Sequence, residues 1–218
     1  MQTARELLSI LISETNPVNR EGMARFGINP AGTLGISIPR LRELARSNKR
    51  NHEAALELYQ SGYHEARILA SMMAEPKRMT QELMQDWVTC FDSWDVCDQV
   101  CLNAFATSPD RWLVPFSWME DDREFIRRAG FVMIAVLAVK DLKAPDDGFI
   151  RSLPYCRTYA TDPRNFVKKA ISWALRQTGR KRSALVPSII QLAGDLLASN
   201  DPTSRWIGRD VRNYLLPD

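Results

Sequence analysis

The chain has 218 residues, of which 45% are hydrophobic and 25% charged, values that are ordinary for a globular protein with a sizeable core. No apolar run approaches the roughly 20 residues that span a bilayer, and the first residues lack the basic and apolar regions of a signal peptide, so we expect a cytoplasmic protein. Four cysteines, none in a Cys-x-x-Cys pair, and two histidines far from them predict neither a disulfide framework nor a metal site, and no motif implies a cofactor.

Helical periodicity runs through the whole chain and predicts an all-α fold. A helix at residues 3–13 is followed by a short one that opens at Pro17 and ends near Gly27. An irregular stretch rich in turn residues occupies 28–38, and we expect Pro39 at the first position of the next helix. That helix and the later ones are predicted at about residues 39–50, 52–60, 63–74, 79–91, 94–106, 110–118, 122–140, 146–159, 163–179, 184–199 and 202–215.

Three of these helices are predicted to start where a good capping side chain precedes a proline: Ser108-Pro109, Asp162-Pro163 and Asp201-Pro202. The run at 132–139 has the composition of a strand. Because it follows the basic residues of its segment without a break, we interpret it as the continuation of a buried helix.

Internal repetition is visible in the second half of the chain. Phe125-x-Arg127-Arg128-Ala129 matches Phe166-x-Lys168-Lys169-Ala170 at a period of 41, and a third basic segment at 205–210 lies about 40 residues further on. Helix pairs at such periods are typical of an α-solenoid. We therefore predict tandem HEAT-like or armadillo-like antiparallel helix pairs forming a curved superhelix, in one domain over 1–218, with 183–218 as candidate capping helices. One register places a column of residues at equivalent positions: Arg67, Asp98, Arg128, Lys169 and Arg209.

Charge is distributed unevenly along the chain. Residues 1–122 have a net charge of −5, residues 123–182 of +9, and residues 183–218 of −1. A block with so much excess positive charge suggests an electrostatic footprint for phosphate, so nucleic acid is an expected partner. The alternative is a solvated basic face without a partner.

Trp94 and Asp98 are the most informative pair of residues. Residues four apart lie on one face of a helix, so the indole and the carboxylate are expected to project side by side. Asp95 is a rival carboxylate, but it lies about 100° around the helix from Trp94, and Asp92 or Ser93 suits the helix cap better. An acidic side chain and an aromatic ring, followed along the chain by basic segments, suit the binding of a positively charged group that is attached to a polyanion.

An alkylated purine in DNA is such a group. A purine alkylated at N3 or N7 is cationic, and it leaves the sugar as a neutral base. Its release needs an anion near the developing positive charge on the sugar and a positioned water, both of which a carboxylate provides. Aromatic rings attract the cationic base, and basic side chains hold phosphates. Trp94, Asp98, Arg128 and Trp173 supply these parts.

Trp94-x-x-x-Asp98, together with the segments 34–42, 125–129 and 166–176, resembles the AlkD-type family of bacterial DNA-alkylation-repair glycosylases. The similarity runs from about residue 20 to about residue 180. The segment 166–176, which ends Ile-Ser-Trp-Ala-Leu-Arg, is its most specific element.

The resemblance implies tandem HEAT-like helix pairs and the removal of N3- and N7-alkylated purines from duplex DNA by a monofunctional glycosylase that needs no metal. By position, Asp98 corresponds to the catalytic carboxylate, Trp94 and Trp173 to the aromatic residues that frame the lesion, and Arg128 to a basic residue at the DNA backbone. We add Lys168, Lys169 and Arg176 as further phosphate contacts, and expect a monomer.

Each of these residues also has a simpler interpretation. Trp94 and Trp173 are also consistent with packing in the core. Asp98 is also consistent with an ion pair to a neighbouring arginine, and Lys168 and Lys169 with a solvated surface. The resemblance extends to relatives that bind DNA without cleaving the glycosidic bond. The rival hypothesis is therefore a non-catalytic helical-repeat module that binds nucleic acid or a protein.

Overall fold

The computed structural model describes residues 1–216, and the regular elements within them are helices only, which confirms the all-α prediction. The described residues fall into two compact units, Met1–Asp110 and a second that begins at Arg111. The single domain expected from the sequence stays a prediction. The first unit holds α1 (Ala4–Ser13), α2 (Pro17–Ala24), α3 (Ile38–Ser47), α4 (His52–Gln60), α5 (His64–Met73), α6 (Gln81–Val88) and α7 (Trp94–Asn103). The second holds α8 (Pro115–Glu120), α9 (Glu124–Lys140), α10 (Asp147–Thr158), α11 (Asn165–Lys181), α12 (Val186–Leu197) and α13 (Pro202–Leu215).

In the first unit, α3, α5 and α7 begin side by side. Glu65, in the first turn of α5, is buried and accepts the backbone N–H groups of residues 34–36, which lead directly into α3. His64, the first residue of α5, contacts Asp95 in the first turn of α7. Since α5 packs against both α3 and α7, the three helices run in the same direction.

In the second unit, α9, α11 and α13 are related in the same way. The rings of Phe125 and Phe166, each in a first helical turn, have centroids 5.6 Å apart. Further along, Lys168 contacts Trp206 and Arg176 contacts Tyr214, at the same sequence offset of 38. Equivalent positions of successive segments are therefore neighbours in space, as the predicted repeat requires.

Helix α9 is the buried centre of the second unit. All residues from 126 to 138 are buried, so the strand-like run belongs to a helix, as predicted. It packs against α8, α10 and α11. Gly130 allows the close approach of α8, because a Cβ at this position would lie 2.7 Å from the backbone of both Pro115 and Met119.

The thirteen predicted helices all occur within residues 1–216, but several begin at different residues. Helix α3 begins at Ile38, so Pro39 is its second residue. Asp201 caps α13 through the N–H of Ser204, as predicted. The other two predicted caps are wrong. Asp162 accepts the N–H of Arg164 and makes a turn before α11, and Ser108 likewise accepts the N–H of Asp110, well before α8.

No helix among the described residues combines the length and the apolar character that a membrane crossing requires.

Candidate nucleic-acid interface and active site

Trp94 and Asp98 lie on the partly exposed face of α7. Trp94 is the first residue of the helix and Asp98 follows one turn later, and both side chains are half-buried. The opposite face is buried in the first unit through Val96, Cys97 and Val100. The amphipathic pattern of α7 therefore presents the indole and the carboxylate together.

The Trp94 indole is fixed by a contact that sequence reasoning missed. Its Nε1–H donates to the backbone carbonyl of Phe26 at 3.0 Å, in the connection between α2 and α3. The Phe26 ring is 72% exposed. Phe26 was predicted to lie at the end of the short helix that closes near Gly27, and nothing in the pattern linked it to a helix that begins 68 residues later.

A cavity of about 570 Å³ adjoins Trp94 within the first unit. Most of its wall is apolar, with Met23, Ile36 and Ile68 among the lining residues. The first turn of α7 thus faces open space on one side.

Asp95, the alternative carboxylate, makes contacts within the first unit. Its Oδ2 lies 2.8 Å from Nε2 of His64, and its Oδ1 accepts the N–H of Val96 at 3.0 Å. His64 is only 3% exposed. Of the two carboxylates near Trp94, Asp98 is the one on the same helical face, whereas Asp95 serves the packing of α5 against α7.

Arg128 lies in α9, in the second unit, and is buried. Its Nη1 donates to the carbonyl of Phe166 at 2.6 Å. The guanidinium is therefore held at the start of α11, beside the contact between the Phe125 and Phe166 rings.

The outer face of α11 combines cations with an aromatic ring. Lys169 is exposed, Trp173 follows after one turn and is half-buried, and Arg180 is exposed near the helix end. The other face is buried through Val167, Ala170, Ile171, Ala174 and Leu175. A basic helix surface with an interleaved aromatic suits nucleic acid, because cations attract phosphate and a flat ring stacks on bases.

Two of the residues predicted to contact phosphate, both on α11, pack against side chains of α13. Lys168 Nζ lies 5.0 Å from the centroid of the Trp206 ring. Arg176 lies over Tyr214 at 5.1 Å, and its Nε is 3.2 Å from Asp210. Residues expected only to cap the chain therefore position part of the candidate interface, while Lys169 projects into solvent.

Asp210 also accepts a hydrogen bond from Ser172 on α11. One carboxylate of α13 therefore contacts two residues of α11, Ser172 and Arg176. The sequence signal was the repeat period of about 40 residues. It does not predict these two contacts individually, because Ser172 lies 38 residues and Arg176 lies 34 residues before Asp210.

Many cations of the basic block, residues 123–182, form ion pairs within the protein. Ion pairs hold at least six of its fourteen cations: Arg123, Arg127, Arg157, Arg164, Arg176 and Arg182. Burial alone would raise the pKa of Asp162, but hydrogen bonds from Arg164 and Arg127 outweigh burial and lower it to about 2. The positive charge that faces solvent is thus smaller than the net +9 of the block.

Comparison with known proteins identifies relatives. The profile of a family described as DNA alkylation repair enzyme matches residues 7–208. No curated protein matches the chain. A solved structure described as belonging to "a new family of proteins related to the HEAT-like repeat DNA glycosylases with affinity for branched DNA structures" is similar with a TM-score of 0.80 and 18% identity, over 98% of this chain and 96% of the other. At that identity the likeness establishes the fold, which is HEAT-like as predicted.

Proposed function

The chain belongs to the DNA alkylation repair enzyme family, and from this premise we propose that it is a monofunctional DNA glycosylase. It hydrolyses the N-glycosidic bond of N3- or N7-alkylated, positively charged purines in duplex DNA. The observation that carries the proposal is the Trp94 and Asp98 pair, which α7 presents on its partly exposed face.

Asp98 stabilises the positive charge that builds on the sugar as the bond breaks, and it orients and deprotonates the attacking water. The departing base needs no strong general acid, because alkylation has already made it cationic and it leaves as a neutral molecule. The step exchanges the C–N bond for a C–O bond to water, and the water proton passes to the carboxylate. Neither a lysine nucleophile nor a bound metal enters this scheme.

Trp94 and Trp173 flank the lesion. An indole ring attracts a cationic base by about 0.5–2 kcal/mol, depending on how far the contact is desolvated. An uncharged purine gains less from the same rings, so the aromatic pair favours damaged over normal bases. The hydrogen bond from Trp94 to Phe26 supports this role, since it fixes the plane of one ring.

Arg128, Lys168, Lys169 and Arg176 hold the phosphate backbone. The Nη1 of Arg128 donates to the Phe166 carbonyl, which fixes the guanidinium at the start of α11, the helix that also contains the other three residues. Lys169, exposed and one turn from Trp173, is the simplest of the four contacts to test.

A second candidate function is DNA binding without catalysis. It is favoured by the solved relative, whose description mentions affinity for branched DNA and no cleavage. In that case Trp173 and the basic face of α11 contact DNA, and Asp98 has no chemical role.

Incubation with methylated duplex DNA separates the two functions. A glycosylase releases free 3-methyladenine or 7-methylguanine and leaves an abasic strand. A binding module retains the modified strand intact and prefers a four-way junction over a linear duplex of equal length. Release of no base at stoichiometric protein would contradict the proposed activity.

A further inference from the structure

The first turn of α7 lacks two supports that helix starts usually have. Its N-cap residue, Ser93, makes no capping hydrogen bond to the helix, and its hydroxyl donates instead to Asp92. On one side, Trp94 and Asp95 border the 570 Å³ cavity rather than packed side chains. Unpaired N–H groups and missing packing both loosen a helix start.

His64 and Asp95 supply the missing support. Asp95 Oδ1 accepts the Val96 N–H, one of the N–H groups at the helix start, while Oδ2 accepts from His64 Nε2 at 2.8 Å. An ionised carboxylate only accepts, so Nε2 carries the proton in this bond. The His64 backbone is anchored in turn, since its N–H donates to Gly32 at 3.0 Å. The imidazole is buried at 3% exposure, so water competes little for the bond.

We propose that His64 and Asp95 form a clamp that positions the first turn of α7, and with it Trp94 and Asp98. The clamp joins a residue adjacent to Trp94 to the first residue of α5. Asp98 lies one turn beyond Trp94 on the same helix, so rotation or fraying of the first turn displaces both groups. His64 and Asp95 are positioning residues, and neither touches the reacting atoms.

This inference rests on the proposed function for its effect on catalysis, but the clamp itself can be tested without catalysis. The Trp94 indole N–H, bonded to Phe26, reports on the first turn of α7. In protein labelled with ¹⁵N-tryptophan, Trp94→Phe identifies its resonance among those of the six tryptophans. We expect His64→Leu to shift this resonance and accelerate its hydrogen exchange, and His64→Gln, which keeps an N–H donor, to restore the wild-type spectrum.

His52 provides the matched control. It is also a buried histidine of the first unit, at 4% exposure, but its Nδ1 accepts the N–H of Glu75, remote in sequence from α7. His52→Leu is expected to lower thermal stability about as much as His64→Leu and to leave the Trp94 resonance in place.

On methylated duplex, we expect His64→Leu to slow single-turnover base release about 10- to 100-fold, the effect typical of a small misplacement of catalytic groups. DNA affinity should stay within about threefold, and His64→Gln should recover most of the rate. If His64→Leu does not fold, Asp95→Asn weakens the same contact and is expected to shift the Trp94 resonance.

The outcomes separate the two hypotheses. If the wild type releases no base, the proposed function fails, while the Trp94 resonance still tests whether His64 and Asp95 position the first turn of α7. An unchanged Trp94 resonance in folded His64→Leu and Asp95→Asn overturns the clamp, as does an equal loss of rate in His52→Leu and His64→Leu.

Discussion

Arg128 of α9 donates to the backbone carbonyl of Phe166 in the first turn of α11, across 2.6 Å. Forty-one residues separate the segments that carry these two groups in the repeat. The bond therefore joins equivalent parts of two successive repeats, and it places a guanidinium proposed to contact DNA inside the packing between them.

Arg128→Ala is accordingly expected to cost stability as well as activity. Loss of a buried hydrogen bond from a charged donor should lower the free energy of unfolding by about 1.5–3 kcal/mol. Urea denaturation measures this, with Lys169→Ala as the control. Lys169 is exposed, so its variant should remain within about 0.5 kcal/mol of wild type. Equal stability of the two variants would show that the Arg128 bond contributes nothing to the fold.

Lys169→Ala should instead weaken DNA binding and its dependence on salt. A cation that neutralises one phosphate contributes about 0.9 to the slope of log affinity against log salt concentration, so the slope should fall by about one. Fluorescence anisotropy on a linear duplex between about 50 and 200 mM salt measures it. Lys143→Ala, in the exposed loop between α9 and α10, is the control and should leave the slope unchanged. An unaltered slope in Lys169→Ala removes this residue from the interface.

Two helical glycines are expected to respond oppositely to alanine. A Cβ on Gly130 would meet the backbone of α8 at 2.7 Å, so Gly130→Ala should destabilise the protein by about 1–3 kcal/mol through overpacking. Nothing lies within 4 Å of a Cβ on Gly194 in α12. Gly194→Ala should therefore raise stability by up to about 1 kcal/mol, the helix propensity difference. Similar unfolding midpoints for the two variants would contradict the close packing of α8 on α9.

Asp162 should make stability depend on pH in the acidic range. Its pKa is about 2 in the folded protein, against an ordinary value of 3.8, and its side chain is 5% exposed. Because the folded-state pKa is depressed, the carboxylate stabilises the protein above about pH 4, and that stabilisation disappears as the pH falls towards 2. The shift corresponds to about 2 kcal/mol. Unfolding of wild type and Asp162→Asn between pH 2 and 5 should converge at the acidic end, and a constant difference would exclude this linkage.

Features that depend on local pattern were predictable from the sequence. The apolar run of α9 was correctly interpreted as a buried helix, because it continues a helical segment without a turn signal. The match of Phe125 with Phe166 predicted repeated segments, and these two rings touch. Asp201 was predicted as a cap because it precedes a proline, and in the structure its side chain accepts the N–H of Ser204.

Pairings between helices were not predictable in the same way. His64 and Asp95 are 31 residues apart, and Asp210 meets Arg176 across α11 and α13. Such contacts depend on the rotation of each helix about its axis, which the hydrophobic pattern defines only to within a residue or so. The cap expected at Asp162 does not form for a local reason, because the Asp162 carboxylate accepts the backbone N–H of Arg164, two residues later, which precedes the helix. The roles of Trp94, Asp98, Arg128 and Trp173 stay predictions.

The most direct test of the proposed chemistry compares wild type with Asp98→Asn in single-turnover release of 7-methylguanine from methylated duplex DNA. Removal of the anion should slow release at least about 100-fold, while affinity for the same duplex changes by less than about threefold. Asp86→Asn, an exposed carboxylate of α6, controls for the change in net charge and should release base at the wild-type rate. Release by Asp98→Asn at the wild-type rate would contradict the assignment of Asp98 as the catalytic carboxylate.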